Sequence, residues 1–145
     1  MSVSELNTVD MAEVLTYAYD LGDMINASVE VADYLYWKQA VENNPDIQGL
    51  VRELQGKKEL FEETERFGHL HPNYHEAKEQ VAEVEARLEA IEEVTRFKLA
   101  ERSLDELLHQ MSEKIAFSVS ESIKVPSNDP LPKKGCGSGG GCQCG

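Results

Sequence analysis

Three cysteines, Cys136, Cys142 and Cys144, are the whole thiol complement of this 145-residue chain, and all of them fall in its last eleven residues. That stretch, Gly135 to Gly145, reads G-C-G-S-G-G-G-C-Q-C-G, with glycine at six of the eleven positions. Cys-x5-Cys-x-Cys presents three soft thiolate ligands, the donor type suited to zinc or to an iron–sulfur cluster. Glycine lets a backbone wrap closely around such a centre. Ordering some ten residues costs roughly 10–20 kcal/mol, whereas a structural zinc site contributes about 10–16 kcal/mol. The two are comparable, and three thiolates are one short of the usual four. Both arguments point to a ligand or supporting surface from outside the tail, most simply from a partner subunit. The spacing by itself does not separate zinc from a cluster, nor either from a tail that works by reversible thiol chemistry.

The rest of the chain must position this tail. Its formal net charge is −13, with 14 basic residues against 27 acidic ones. Affinity for nucleic acid rests largely on Lys and Arg neutralising phosphates, so direct nucleic-acid binding is not expected. No run of apolar residues approaches the eighteen or so that span a bilayer, so no membrane insertion is expected. The opening M-S-V-S-E-L-N lacks the basic flank and apolar run of a secretory leader. A cytoplasmic, reducing location is therefore predicted, where clustered cysteines serve as metal or redox groups more often than as disulfides.

Helical spacing dominates the body. A first helix is predicted over about Glu5 to Ala27, carrying Leu6, Val9, Met11, Val14, Leu15, Ala18, Leu21, Met24 and Ile25. Ser28 reads as an N-cap for a second, about Val29 to Glu42, whose Trp37 and tyrosines suit packing between helices. Asn44-Pro45-Asp46 stops and restarts the chain. A third helix then runs to about Phe67, with Ile47, Leu50, Val51, Leu54, Lys58, Phe61 and Glu65 on one stripe and Gly68 as the stop. Pro72 opens a fourth helix whose Ala77, Val81, Val84, Leu88 and Ile91 form a heptad seam. The stripe continues through Val94, Phe97, Ala100, Leu104, Leu107, Met111, Ile115 and Val119 to about Ile123, with a bend expected near Glu92 to Arg96.

The expected fold is all-α: a hairpin of long antiparallel helices, 45–67 against 72–91, with the flanking helices at its base and a disordered glycine- and cysteine-rich tail. Residues 1–124 form the helical domain, 125–134 a linker containing Pro126, Pro130 and Pro132, and 135–145 the metal- or cluster-binding tail. Opposite charges four apart, Glu53–Lys57 and Glu83–Arg87, suit a solvated face; a docking surface for a basic partner is the sharper reading of the same acidic stretch. His69, His71 and His75 cluster in sequence, but the proline between them gives no reason for their imidazoles to converge. No pair of carboxylates is marked as acid and base, and no glycine-rich loop precedes a helix, so no catalytic residue is assigned and the chain is not expected to be an enzyme.

These residues resemble the YlbF/YmcA family of small helical bacterial regulators, its YlbF-type members most closely. The resemblance rests on Arg66-Phe67-Gly68 followed by His71-Pro72 and Tyr74, on the Lys124-Val125-Pro126 exit, and on the glycine–cysteine tail. It implies self-association or pairing with relatives, and a non-catalytic regulatory subunit working with YmcA-like and YaaT-like partners. It further implies a complex that carries [4Fe–4S] clusters and acts with RNase Y in mRNA processing, with links to competence, biofilm formation and sporulation. By position, Cys136, Cys142 and Cys144 would then be cluster ligands. Some relatives have a further cysteine upstream, where this chain has Lys133-Lys134-Gly135, which strengthens the case for a ligand from a partner.

Overall fold

A computed structural model describes residues 10–68 and 70–128. Five α-helices follow in order: α1 (Met11–Asn26), α2 (Val29–Asn43), α3 (Pro45–Arg66), α4 (Tyr74–Glu89) and α5 (Glu92–Val119). Every regular element among the described residues is helical, as the spacing predicts. Two compact units divide the chain after Leu104, so that α5 contributes its first part to one and its remainder to the other.

Local chemistry sets the helix ends. Asp10 caps α1 by accepting from the Ala12 amide at 2.9 Å. Ser28 Oγ accepts from the Val31 amide at 3.3 Å. Asn44 Oδ1 accepts from the amides of Asp46 and Ile47, at 3.0 and 3.4 Å, with Pro45 on the first turn of α3. These side chains occupy N–H groups that the helix itself leaves unpaired. Asn44→Ala is expected to cost about 0.5–2 kcal/mol, measurable as a lower urea midpoint at unchanged slope.

Past the other end of α3, Gly68 has φ +82° and its amide donates to the Glu65 carbonyl at 3.0 Å. That left-handed conformation disfavours any residue with a Cβ. A Cβ at Gly68 would meet nothing within 4 Å, so Gly68→Ala should destabilise by about 1–2 kcal/mol through the backbone alone. Gly56, inside α3 with equally open space, is the control: Gly56→Ala should stabilise by about 0.4–1 kcal/mol. Equal signs for the two in the same urea titration would refute this account.

α3 and α4 pack side by side, and their contacts run in opposite order along the two helices. Phe61 meets Tyr74 with ring centroids 5.4 Å apart near the turn. Lys57 Nζ donates to Gln80 Oε1 at 2.9 Å, and Lys58 pairs with Glu85 at 3.0 Å. Farther along, Arg87 Nη1 reaches both oxygens of Glu53, at 3.1 and 3.2 Å. At the base, Ile47, fully buried, packs with Leu88 and with Val94 of α5, joined by Val41 of α2 and by Leu50, Leu54 and Ile91. The pair is therefore antiparallel, with helices from both sides of it in sequence meeting at its base.

Several details differ from expectation. The buried positions of α3 are Ile47 and Thr64, while Val51 is exposed. Counting from Ile47 in steps of three and four gives Leu50, Leu54, Lys57, Phe61 and Thr64, a heptad seam matching Tyr74, Ala77, Val81, Val84 and Leu88 on α4. Thr64 satisfies its hydroxyl by donating to the Phe61 carbonyl at 2.7 Å. The charges do not pair four apart as expected: Glu53 and Arg87 reach across to each other, and Lys57 takes Gln80. Long side chains on adjacent helices meet more directly there than within one helix.

Helix starts and stops shift too. α4 begins at Tyr74, not at Pro72. Tyr74 N–H donates to the His71 carbonyl at 3.0 Å, which places Pro72 second in a tight turn, a position its fixed φ suits. The bend lies at Ala90–Ile91, just ahead of the expected stretch. There Thr95 Oγ1 donates to the Glu89 carbonyl at 3.0 Å, and Lys98 pairs with the Glu89 carboxylate at 2.9 Å. α5 ends at Val119 instead of Ile123. Ser120 Oγ accepts from the Ser122 amide at 3.3 Å, a side-chain contact that competes with helical pairing.

Candidate functional site: the cysteine tail and the helix faces that serve it

Cys136, Cys142 and Cys144 lie outside the described residues, as do His69, Pro130, Pro132 and residues 1–9, which include positions 5–9 of the expected first helix. Their fit to a metal centre therefore rests on the chemistry of the donor set: three thiolates, soft and compact, with glycine at most of the neighbouring positions. Among the described residues no group of three or more His, Cys, Asp or Glu side chains could hold a metal ion. The tail is where this chain concentrates its donors.

The histidines on either side of Pro72 have other tasks. His71 Nδ1 accepts from the Asn73 amide at 3.2 Å, and its ring lies 5.7 Å from that of Phe67. His75 meets Tyr74 edge-on at 5.4 Å. Both help to build the turn between α3 and α4. His109 sits one turn from Glu113, with Nε2 3.3 Å from its carboxylate.

The helical body contributes surface. α1 has no buried residue; its apolar side chains Met11, Val14, Leu15 and Met24 are exposed, the last to 73%. Among the described residues only α2 packs on α1 to any extent, so most of the apolar stripe of α1 stays exposed, with Leu21 and Ile25 half-buried. The tyrosines divide likewise. Tyr74 is buried and Tyr34 packs on Phe97 of α5 at 5.7 Å, but Tyr17, Tyr19 and Tyr36 are exposed. The packing expected of Trp37 and the tyrosines thus holds in part: Trp37 is half-buried and Tyr34 packs between helices, while Tyr36 is exposed. On the second unit, Leu108, Ile115, Phe117 and Val119 are uncovered on α5. Exposed apolar side chains grouped along helices mark surfaces for other molecules more often than scattered ones do. Sequence periodicity located these faces; it had no means of telling an internal cover from an external one.

An open groove beside the α4–α5 junction is lined by Glu89, Thr95, Lys98, Leu99 and Arg102. Glu89 and Lys98 neutralise each other there, which leaves it without the cationic pair an anion site would use. No helix among the described residues is long and apolar enough to cross a membrane.

A thin internal core and helix faces left uncovered define a small all-helical protein with more apolar surface than its own fold uses. The chain belongs to the YlbF/YmcA family: Com_YlbF, control of competence regulator ComK, YlbF/YmcA, matches residues 14–120. It is 31% identical over 143 residues to the regulatory protein YlbF of Bacillus subtilis (strain 168), covering 94% of this chain and 96% of that one. It is also similar to a chain in the crystal structure of Bacillus subtilis RicA in complex with RicF. The TM-score is 0.72 and the identity 28%, over 79% of this chain and 100% of that chain.

Proposed function

We propose that this protein is a non-catalytic regulatory subunit whose helical body docks to sister subunits and whose tail supplies thiolates to a shared [4Fe–4S] cluster. The complex would be of the YlbF–YmcA–YaaT type and would modulate RNase Y-dependent mRNA processing, and through it competence, biofilm formation and sporulation. Cys136, Cys142 and Cys144 would hold the cluster together with a ligand from a partner. Such a cluster supplies one-electron chemistry and a rigid link between the chains that ligate it.

The observation that carries the reading is the pairing of a family match over residues 14–120 with apolar helix faces left exposed among the described residues. Similarity to a regulatory protein supports the regulatory class, and similarity to a chain crystallised with a second protein supports work in a complex. The −13 charge favours contact with a protein over contact with RNA. The body positions and docks; the tail ligates.

Metal analysis and electronic absorption on the anaerobically purified complex test the proposal. A brown complex with iron and sulfide in ratio, absorbing in the charge-transfer region, is expected. A colourless complex holding stoichiometric zinc would overturn the cluster assignment in favour of a zinc site.

A further inference from the structure

The turn between α3 and α4 displays apolar side chains and holds its backbone in one shape. Leu70 is 97% exposed and Phe67 75%, so neither serves the core. Three hydrogen-bonded turns follow one another through this stretch. The Gly68 amide donates to the Glu65 carbonyl at 3.0 Å, the His71 amide to the Gly68 carbonyl at 3.1 Å, and the Tyr74 amide to the His71 carbonyl at 3.0 Å. Beneath them Tyr74 is buried against Phe61, and Thr64 and Ala77 are buried as well. A backbone fixed in this way removes part of the ordering cost of docking.

The charges around the apolar pair select what can cover it. Residues 59–79 hold six carboxylates, Glu59, Glu62, Glu63, Glu65, Glu76 and Glu79, against Arg66 and Lys78. The ion pairs between α3 and α4, Lys58–Glu85 and Glu53–Arg87, lie on the base side of the tip. None of the six carboxylates takes part in an ion pair among the described residues. Glu76 suits the positive start of α4, but Glu63 and Glu65 stand in the last turn of α3, where the helix dipole disfavours negative charge. The local fold therefore gains nothing from those two. Two such tips brought together would set carboxylates against carboxylates, and a phosphate backbone or an anionic lipid surface would be repelled in the same way.

We propose that the α3–α4 tip is a docking knob. Leu70 and Phe67 enter an apolar pocket on a partner protein whose rim carries Lys and Arg, and the surrounding carboxylates face that rim. Apolar anchors at the centre with charged groups at the periphery are the common plan of protein interfaces. The proposal rests on the reading of this chain as a docking subunit, and it adds where one partner is met and what chemistry that partner presents.

Binding kinetics of the immobilised full chain test it, with purified YmcA-like and YaaT-like subunits as the probes, each alone and mixed. Leu70→Ser keeps the charge and should weaken binding about tenfold or more, mainly through faster dissociation. Glu63→Lys combined with Glu65→Lys keeps the apolar pair. It should slow association about threefold or more and flatten the dependence on salt. Thermal midpoints should match that of the wild type, because all three side chains are exposed. Either variant binding as the wild type does would overturn the knob while leaving the docking reading intact. A wild-type chain that binds neither subunit nor their mixture would overturn both. Sedimentation of the chain alone covers the remaining occupant: self-association abolished by Leu70→Ser would assign the tip to a second copy and overturn the basic pocket.

Discussion

Ile47→Ala is expected to destabilise the protein by about 2–5 kcal/mol, the range for removing a buried Ile side chain and leaving a cavity. Ile47 is fully buried and is the residue through which α3 meets Leu88 of α4 and Val94 of α5, with Val41 of α2 beside them. Few other residues can compensate, because only seven hydrophobic side chains are buried among the described residues. Domain stabilities are about 5–15 kcal/mol, so this one change removes a large share. Thermal unfolding should shift down by roughly 6–20 °C. Val51 supplies the contrast. It follows Leu50 and lies on the same stripe by simple apolar spacing, yet it is exposed, and Val51→Ala should stay within about 0.5 kcal/mol. Calorimetry giving the two substitutions similar shifts would show that α3 does not pack along Ile47, Leu50, Leu54, Lys57, Phe61 and Thr64.

Cys142→Ser combined with Cys144→Ser should abolish cofactor binding while leaving helical content and thermal midpoint unchanged. A full set of protein ligands holds a structural zinc by about 10–16 kcal/mol. Losing two of three thiolates therefore costs several kcal/mol, and about 4 kcal/mol already lowers affinity a thousandfold. The body should not notice, because its core lies in the helices from α2 to α5. Iron, sulfide and zinc content of the anaerobic complex, together with far-ultraviolet circular dichroism, provide the readout. Cofactor retained at full stoichiometry by the double variant would remove Cys142 and Cys144 as ligands. Helical content lost along with the cofactor would mean that the tail supports the fold, contrary to its proposed role.

Much of the architecture is legible in the residues because it depends on neighbours in sequence. The Ser28 and Asn44 caps, Pro45 on the first turn of α3 and the stop at Gly68 each involve groups a few residues apart, so type and position suffice. The seam of α4 was legible for the same reason: Ala77, Val84 and Leu88 are apolar at heptad spacing, and all three are buried. The matching seam of α3 was hidden because two of its positions, Lys57 and Thr64, are polar. Lys57 keeps its ammonium on Gln80 and Thr64 closes on a backbone carbonyl, so each joins the interface without looking apolar.

What the sequence by itself determined is an all-helical body, the punctuation between most of its helices, and a thiolate-rich tail whose donor set suits a soft metal centre or a cluster. What only the tertiary structure decided is which apolar faces the chain covers for itself. Periodicity marks α1 and α4 alike, yet α4 is covered by α3 while most apolar residues of α1, among them Met11, Val14, Leu15 and Met24, stand in solvent. Cover depends on distant segments arriving at the same place, and spacing within one helix carries no record of that. The Asp105–Asn128 hydrogen bond belongs with these long-range facts: two polar residues, twenty-three positions apart, whose pairing no local spacing announces.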